Sequence, residues 1–364
     1  MSGVGQGRRA ATAVAHPNIA LAKYWGKREY GANLPAVPSL SVTLAGMATT
    51  TTVTFDASLK ADALTLGGAP GAETPSRRVT EMLERVRLLA GIREHAHVKS
   101  ANDFPTAAGL ASSASAFAAL AVAATAAAGI QLAPAAASDL ARRSSVSAAR
   151  SVFGGFVELP AGQIGDERVS ASQVAPSDHW ALRIVVAVCR EGPKEVSSSD
   201  GMRHTARTSA YFPAWVETAP ALFARVRDGL VRRDLEQLGT AAELSALMMH
   251  AAAMAAAPGV IYWKGATVEA LEEVRRLRHR GIAAYATIDA GPHVKVITAA
   301  EDAPAVERAM AQVPGVLRTI LARPGEGARL EATSTAMSRA ADGDAGAAAE
   351  VEGSSPVRAG GASR

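Results

Sequence analysis

The stretch that most constrains this chain is Phe104-Pro105-Thr106-Ala107-Ala108-Gly109-Leu110-Ala111-Ser112-Ser113-Ala114, a turn of small residues that runs into an alanine-rich segment. Phe117, Leu120 and Val122 join the alanines, so a helix is expected from the serines to about Ala128. The first N–H groups of such a helix lack intrahelical partners and sit at the positive end of its dipole, a ready site for phosphate oxygens. Gly109 lets backbone approach an anion closely, and Ser112 or Ser113 can donate to a phosphate or bind Mg²⁺. On composition alone an ordinary buried helix with a serine cap reads the same. The ordered string P-x-x-x-G-L-x-S-S-A is more specific than composition. It is not the G-x-x-x-x-G-K-[ST] phosphate loop, which occurs nowhere in the chain.

With 364 residues the chain can build one large or two medium domains. Apolar residues at 48% and charged residues at 20% are a globular composition. A net charge of +4 suits an anionic substrate but is too diffuse for nucleic acid, and 4% aromatics leave no base-stacking surface. Cys189 is the single cysteine, which rules out an intramolecular disulfide, and its apolar surroundings mark a buried strand residue rather than a nucleophile. No apolar run is long enough to span a membrane, so a cytoplasmic protein is expected.

Residues 1–11 are expected to fray. Strands are expected at Ser39–Leu44, Thr50–Phe55, Ala63–Leu66 and Leu182–Val188, and helices at 76–90 and Pro134–Arg143. Gly154-Gly155 suggests a bulge or a close backbone approach. His95-Ala96-His97 could chelate a metal from one strand face, but no third ligand is in view. Residues 218–257 are helical by pattern, and Thr267 should cap a helix that runs from about Val268 to Gly281. Two strands joined by an Asp289-Ala290-Gly291-Pro292 turn follow, then a helix near 303–312 and a strand near Val316–Leu321. From about residue 334 no periodicity remains, and a disordered tail is expected.

The phosphate-loop string resembles that of the GHMP small-molecule kinases. Asn18-Ile19-Ala20-x-x-Lys23-Tyr24-Trp25-Gly26-Lys27, Asn33-Leu34-Pro35 and Ser39-Leu40-Ser41-Val42-Thr43-Leu44 resemble the mevalonate diphosphate decarboxylases of that superfamily. So do Ser145-x-Ser147-Ala148-x-Arg150-Ser151-x-Phe153-Gly154-Gly155, Val196-Ser197-Ser198-x-x-Gly201-Met202, Met249-His250-Ala251 and Asp289-Ala290-Gly291-Pro292. The matches occur in the family's order and cover about residues 10–330. The resemblance implies an α+β GHMP kinase fold: an N-terminal ribosomal-S5-like domain over 12–190, a C-terminal ferredoxin-like domain over 191–333, and an active site in the cleft between them. It also implies ATP and Mg²⁺ as cofactors, a small-molecule substrate, no nucleic acid, no membrane, and a homodimer.

By the same resemblance Asp289 orients or deprotonates the 3-hydroxyl of the substrate, and Arg150 holds its carboxylate. Lys23 lies near the reacting hydroxyl, and Ser147 completes the catalytic set. Tyr24, Lys27, Ser145 and Ser198 meet the substrate. Asn102, Pro105, Ala108, Gly109, Leu110, Ser112, Ser113 and Lys194 meet ATP, with Ser113 as the Mg²⁺ ligand. From the residues alone, Asp289 could equally hydrogen-bond its own turn, and both lysines could be solvated strand ends. The chain departs from the family pattern at Val37-Pro38, Ser144, Val146, Leu247 and His293, which leaves the substrate's phosphorylation state open. The alternatives are a 3-kinase or decarboxylase acting on mevalonate or its 5-phosphate, and a non-catalytic nucleotide- or isoprenoid-precursor-binding regulator.

Overall fold

Period-two burial builds the first sheet. In the strand Thr49–Asp56 the alternate residues Thr49, Thr51, Val53 and Phe55 are buried, the pattern of a strand with one face on a core. The computed structural model describes residues 8–29, 31–104, 112–192 and 194–331. In the first sheet the strands run in the order Arg329–Leu330, Arg9–Ala15, Thr49–Asp56, His95–Asn102, Ala63–Leu66, Ala69–Pro70. The strand Arg9–Ala15 begins inside the segment 1–11 that was expected to fray. Ala63–Leu66 pairs in parallel with His95–Asn102, and the crossover such a pair needs carries the helix Glu73–Ala90.

The alanine helix, Ser112–Ala127, closes this sheet. Its alanines present one methyl each, so the backbone can lie close against the strands. Ala118, Ala121 and Ala124 share one core with Phe117, Leu120, Met82, Leu83 and Phe55.

The second sheet runs Ser172–Ala175, Phe156–Leu159, Ser39–Ala45, Arg318–Pro324, Leu182–Val188, Val294–Ala299, Ala284–Ile288, with Asn18–Ala22 paired to Ser39–Ala45. Its strands come from both ends of the chain: Ala45 faces Arg323 and Leu44 faces Pro324. The expected domain boundary near residue 190 falls directly after the strand Leu182–Val188 of this sheet. Leu182, Ile184 and Val186 face a core shared with Val226, Leu230 and Leu238 of two long helices. Val185 and Ala187 face the helices Gly265–His279 and Ala303–Ala311 on the other side. With both faces covered, its central strands Leu182–Val188 and Val294–Ala299 are mostly apolar, with Arg183 and Lys295 as the charged exceptions.

Two expectations need correction. The helical region 218–257 is two helices, Phe212–Arg232 and Leu235–Met254, separated where Arg233 takes a left-handed φ of 57° and Asp234 caps the second helix through Gln237 N–H. Thr267 is not the cap of its helix. The helix begins at Gly265, and the Thr267 hydroxyl accepts from Lys264 N–H at 3.1 Å while donating to Pro292 O at 2.7 Å. The tail from 334 lies outside the described residues.

The Gly154-Gly155 pair is a close backbone approach with an adjoining bulge. The register with Ser172–Ala175 shifts between Phe156 and Val157. Gly155 has φ +70°, donates to Gly325 O at 2.8 Å and accepts from Thr43 N–H at 2.9 Å. A Cβ there would strike Ala175 O, and one on Gly154 would lie 2.6 Å from Gly327 N. Gly155→Ala should therefore cost more than the roughly 1–2 kcal/mol of the left-handed conformation alone. A denaturant midpoint within error of the unsubstituted protein would show that this junction is slack.

Candidate active site

The strand Asn18–Ala22 is buried throughout, and the chain leaving it carries Lys23 into the interior. Ser245 of the helix Leu235–Met254 fixes that exit, its hydroxyl accepting Lys23 N–H at 3.0 Å. From the other side the turn after Ala284–Ile288 presents Asp289, tightened by Gly291 N–H donating to Asp289 O at 2.6 Å. Lys23 Nζ donates to Asp289 Oδ1 at 2.6 Å and to Ala20 O at 2.9 Å. Lys295 Nζ stands 3.1 Å from Asp289 Oδ2. The carboxylate thus serves two lysines rather than its own turn. Lys23, 2% exposed, is no solvated strand end.

Burial pushes the Lys23 ammonium down to about 8, with Asp289 pulling it back up and Lys295 adding to the depression. Burial alone would raise the Asp289 carboxyl, but Lys23 and Lys295 outweigh it and hold the group well below the usual carboxylate range. His250 packs beside Tyr262 and Trp263 and is pushed down to about 3 by burial and by Lys23, so it is neutral.

Arg150 belongs to the four-residue helix Ala148–Ser151 and is 2% exposed. It donates from one terminal nitrogen to Ser39 Oγ at 2.7 Å and from the other to Asn18 Oδ1 at 3.3 Å, while its Nε has no partner. Asn18 is itself held, donating to Ser147 O at 2.9 Å and Ser151 Oγ at 2.8 Å. Burial lowers the guanidinium to about 10, still charged at neutral pH, with Asp289 and Tyr24 opposing the shift. No carboxylate among the described residues pairs with it within 4.0 Å. A buried cation without a counter-ion is expensive, and its cost falls when an anion binds.

These groups line one open cleft of about 660 Å³. Tyr24, Lys27, Ser145, Ser147, Ser198, Lys194 and Ser113 lie on its wall as well. Ser147 precedes the Ala148–Ser151 helix without capping it, and its hydroxyl lies 3.4 Å from that of Ser145. In the Ser197–Ser199 turn the roles divide. Ser197 caps the helix Ser198–Thr208 by accepting Asp200 N–H, leaving Ser198 to accept from Lys194 Nζ at 2.9 Å. Lys194 also donates to Ala290 O at 2.8 Å, which ties it to the Asp289 turn. Lys27 donates to Asn33 Oδ1 at 2.5 Å. Burial, followed by Arg78 and Arg203, lowers its ammonium to about 8.

Not every expected residue is on the wall. Asn102 accepts from Thr49 Oγ1 at 2.6 Å, and that hydroxyl also meets buried Ser115 Oγ at 2.6 Å; neither Asn102 nor Ser112 is among the described cleft-lining residues. Pro105, Ala108, Gly109 and Leu110 lie outside the described residues. For the His95/His97 pair the described residues supply no third ligand. His97 Nε2 meets Thr65 Oγ1 at 2.9 Å, His95 faces Asp62 at 3.4 Å, and no group of three metal-ligating side chains occurs among the described residues. Sequence reasoning gave no role to Lys295, Asn18, Ser39, Arg78 or Arg203. The signal for Lys295 was a lone lysine inside the apolar run Val294–Ile297, which must have a buried partner.

Residues 15–171 match the diphosphomevalonate decarboxylase-like N-terminal domain and residues 184–339 the mevalonate 5-diphosphate decarboxylase C-terminal domain. The human diphosphomevalonate decarboxylase is 34% identical over 79% of this chain and 76% of its own length. The chain belongs to the diphosphomevalonate decarboxylase family. Among solved decarboxylases, the Staphylococcus aureus enzyme superposes with a TM-score of 0.85 at 33% identity, covering 90% of this chain and 99% of that one. The structure described as MDDEF in complex with MVAPP, AMPPCP and magnesium gives 0.84 at 38% identity, covering 90% and 100%. The fold is the two-domain GHMP kinase fold of these decarboxylases, and the cleft draws Lys23 and Arg150 from one matched region and Lys194 and Asp289 from the other. No described helix is long and apolar enough to cross a membrane.

The two depressed lysines give the site a pH signature. In the ligand-free protein Lys23 and Lys27 lose their protons near pH 8, and because the site uses both ammoniums kcat/KM should fall about thirtyfold between pH 8 and 9. Their folded values lie below the unfolded value of about 10.4. Between pH 8 and that value the unfolded chain holds more protons, so these two groups make the fold more stable as pH rises. A loss of activity that tracks a loss of folded protein over this window would contradict the assignment.

Proposed function

We propose that this chain catalyses the ATP- and Mg²⁺-dependent decarboxylation of mevalonate 5-diphosphate to isopentenyl diphosphate, ADP, phosphate and CO₂. The observation that carries the reading is an anionic Asp289 fixed between two lysines in one cleft with Arg150, a buried cation with no carboxylate within 4.0 Å among the described residues. Family membership and the relative solved with MVAPP, AMPPCP and magnesium support the substrate and cofactors.

Hydroxide is a poor leaving group, so a carboxylate β to a tertiary alcohol does not lose CO₂ readily. Transfer of the terminal phosphoryl group of ATP to the 3-oxygen, with the P–O bond to ADP breaking and the hydroxyl proton passing by way of Asp289 to solvent, converts it into a phosphate that can leave. The C3–O bond then breaks with its electrons on phosphate. The C1–C2 bonding pair becomes the C2–C3 double bond, and C1 departs as CO₂.

Asp289 accepts a hydrogen bond from the 3-hydroxyl and orients it. Its low pKa makes it a weak base, so orientation is the larger part of its work. Lys23 and Lys194 add positive charge where phosphate charge gathers. Arg150 takes the substrate carboxylate, a role that suits its planar two-pronged donor set. Ser145, Ser147, Ser198 and Tyr24 donate to the substrate. Lys27 with Arg78 and Arg203 forms a basic wall that suits a doubly phosphorylated tail better than a monophosphate or a free alcohol. Ser113 is exposed at the start of the alanine helix and would hold Mg²⁺ carried in on the ATP phosphates, as expected where the described residues supply no carboxylate cage. When bound, the ion would supply positive charge against the ATP phosphates. The 12–190 and 191–333 division, the homodimer and the cytoplasmic location belong to the same reading.

Incubation with ATP and mevalonate 5-diphosphate should release CO₂ and ADP in equal amounts, and ADP without CO₂ would overturn the decarboxylase assignment. Arg150→Ala should cost about 2–5 kcal/mol of transition-state stabilisation, roughly 30- to several-thousand-fold in kcat/KM. Asp289→Asn should lower turnover at least about a hundredfold. It should also destabilise the fold by about 3–5 kcal/mol, because two buried lysines lose their counter-ion. Near-native turnover in Asp289→Asn would remove Asp289 from the mechanism.

A further inference from the structure

We propose that Lys295 is a positioning residue for Asp289, gripping Oδ2 while Lys23 grips Oδ1 and so fixing the plane of the carboxylate in the cleft. The inference rests on the reading of Asp289 as the group that meets the reacting hydroxyl.

Lys295 lies on Val294–Ala299, between Leu182–Val188 and Ala284–Ile288 in the second sheet, opposite Val186 and Thr287. Its neighbours Val294 and Val296 point into the core under the helix Gly265–His279, which turns Lys295 to the opposite face. There Val186 and Ile297 share the core of the long helices. The side chain is wholly buried, and its ammonium meets Asp289 Oδ2 as an ion pair at 3.1 Å without a hydrogen-bond partner among the described residues. The titratable groups that feel it are Asp289, Lys23, Lys194, His293 and the Cys189 thiol.

Stability does not account for such a residue. One ion pair repays only part of the desolvation of a buried ammonium, and an apolar side chain would suit both the strand pattern and the core. Nor is Lys295 required to give Asp289 a counter-ion, since Lys23 already provides one at 2.6 Å. What the second lysine adds is geometry. Rotation about the Cβ–Cγ bond of an aspartate is soft, so one contact leaves the carboxylate free to swing. A second contact on the other oxygen removes that freedom. Each oxygen keeps a further lone pair for a substrate hydroxyl. Misplacement of a reacting group by about an ångström costs on the order of a hundredfold in rate.

The test uses the full-length chain with Lys295→Met and, as a second variant that keeps a polar group, Lys295→Gln. Both should lower kcat by about 10- to 100-fold while KM for ATP and for mevalonate 5-diphosphate stays within about threefold. Lys295→Met should be at least as heat-stable as the unsubstituted protein. NMR of ¹⁵N-lysine-labelled protein should show the Lys23 Nζ titration moving to higher pH in both variants, because the repulsion from Lys295 is gone. A kcat within twofold of the unsubstituted protein, or an unmoved Lys23 titration, overturns the proposal. If the unsubstituted chain does not turn over this substrate, the decarboxylase reading fails, and the Lys23 titration still decides whether Lys295 acts on the pair.

Discussion

A carboxylate held between two buried ammonium groups governs how the rest of this molecule must be arranged. Lys23, Asp289 and Lys295 come from positions far apart in the chain, and each is fixed by a different device. Ser245 holds the backbone at Lys23, the tight turn at Gly291 aims Asp289, and a central strand carries Lys295. Both lysine side chains are shielded from water, and of the three only Asp289 is partly exposed, on the cleft. The second sheet provides that shelter by joining strands from both ends of the chain, with helices covering both faces.

Surplus positive charge is the common property of the cleft. Arg150 adds a buried guanidinium with no carboxylate within 4.0 Å among the described residues, Lys194 leans on the Asp289 turn, and Lys27 is crowded by Arg78 and Arg203. Folding such a cluster costs stability, and the fold offsets it with tightly packed apolar cores on either side. The cost is recovered when a polyanion enters. A substrate with a carboxylate at one end and phosphates at the other, and a nucleotide beside it, is the kind of ligand that this distribution fits.

Much of this was legible in the sequence, for identifiable reasons. Strands such as Ala63–Leu66 and Leu182–Val188 were found at their observed bounds because apolar runs flanked by polar turns leave little choice. The glycine pair announced a close backbone approach, and two backbone neighbours fill the space that side chains would need. Asp289, Arg150 and Lys23 stood out through ordered motifs. Missed features depended on tertiary partners. Arg233 breaks a helical region in a conformation that arginine seldom takes, and no local pattern reveals it. Thr267 looked like a cap, but its hydroxyl also serves the Pro292 carbonyl across the turn, and the helix starts earlier. Lys295 sat unnoticed in an apolar strand because its partner approaches from a turn that folds back over it. Asn18 and Ser39 carried no assigned role until Arg150 was seen to rest on both.

The central claim is a statement about protons: at neutral pH Asp289 is an anion and Lys23 is a cation. Neutron diffraction from deuterium-exchanged crystals of the full chain grown near pH 6.5, well below the value of about 8 for Lys23, reads this directly. The account predicts no deuteron on either oxygen of Asp289 and three on Lys23 Nζ. A deuteron on the carboxyl, or only two on Lys23, would contradict it.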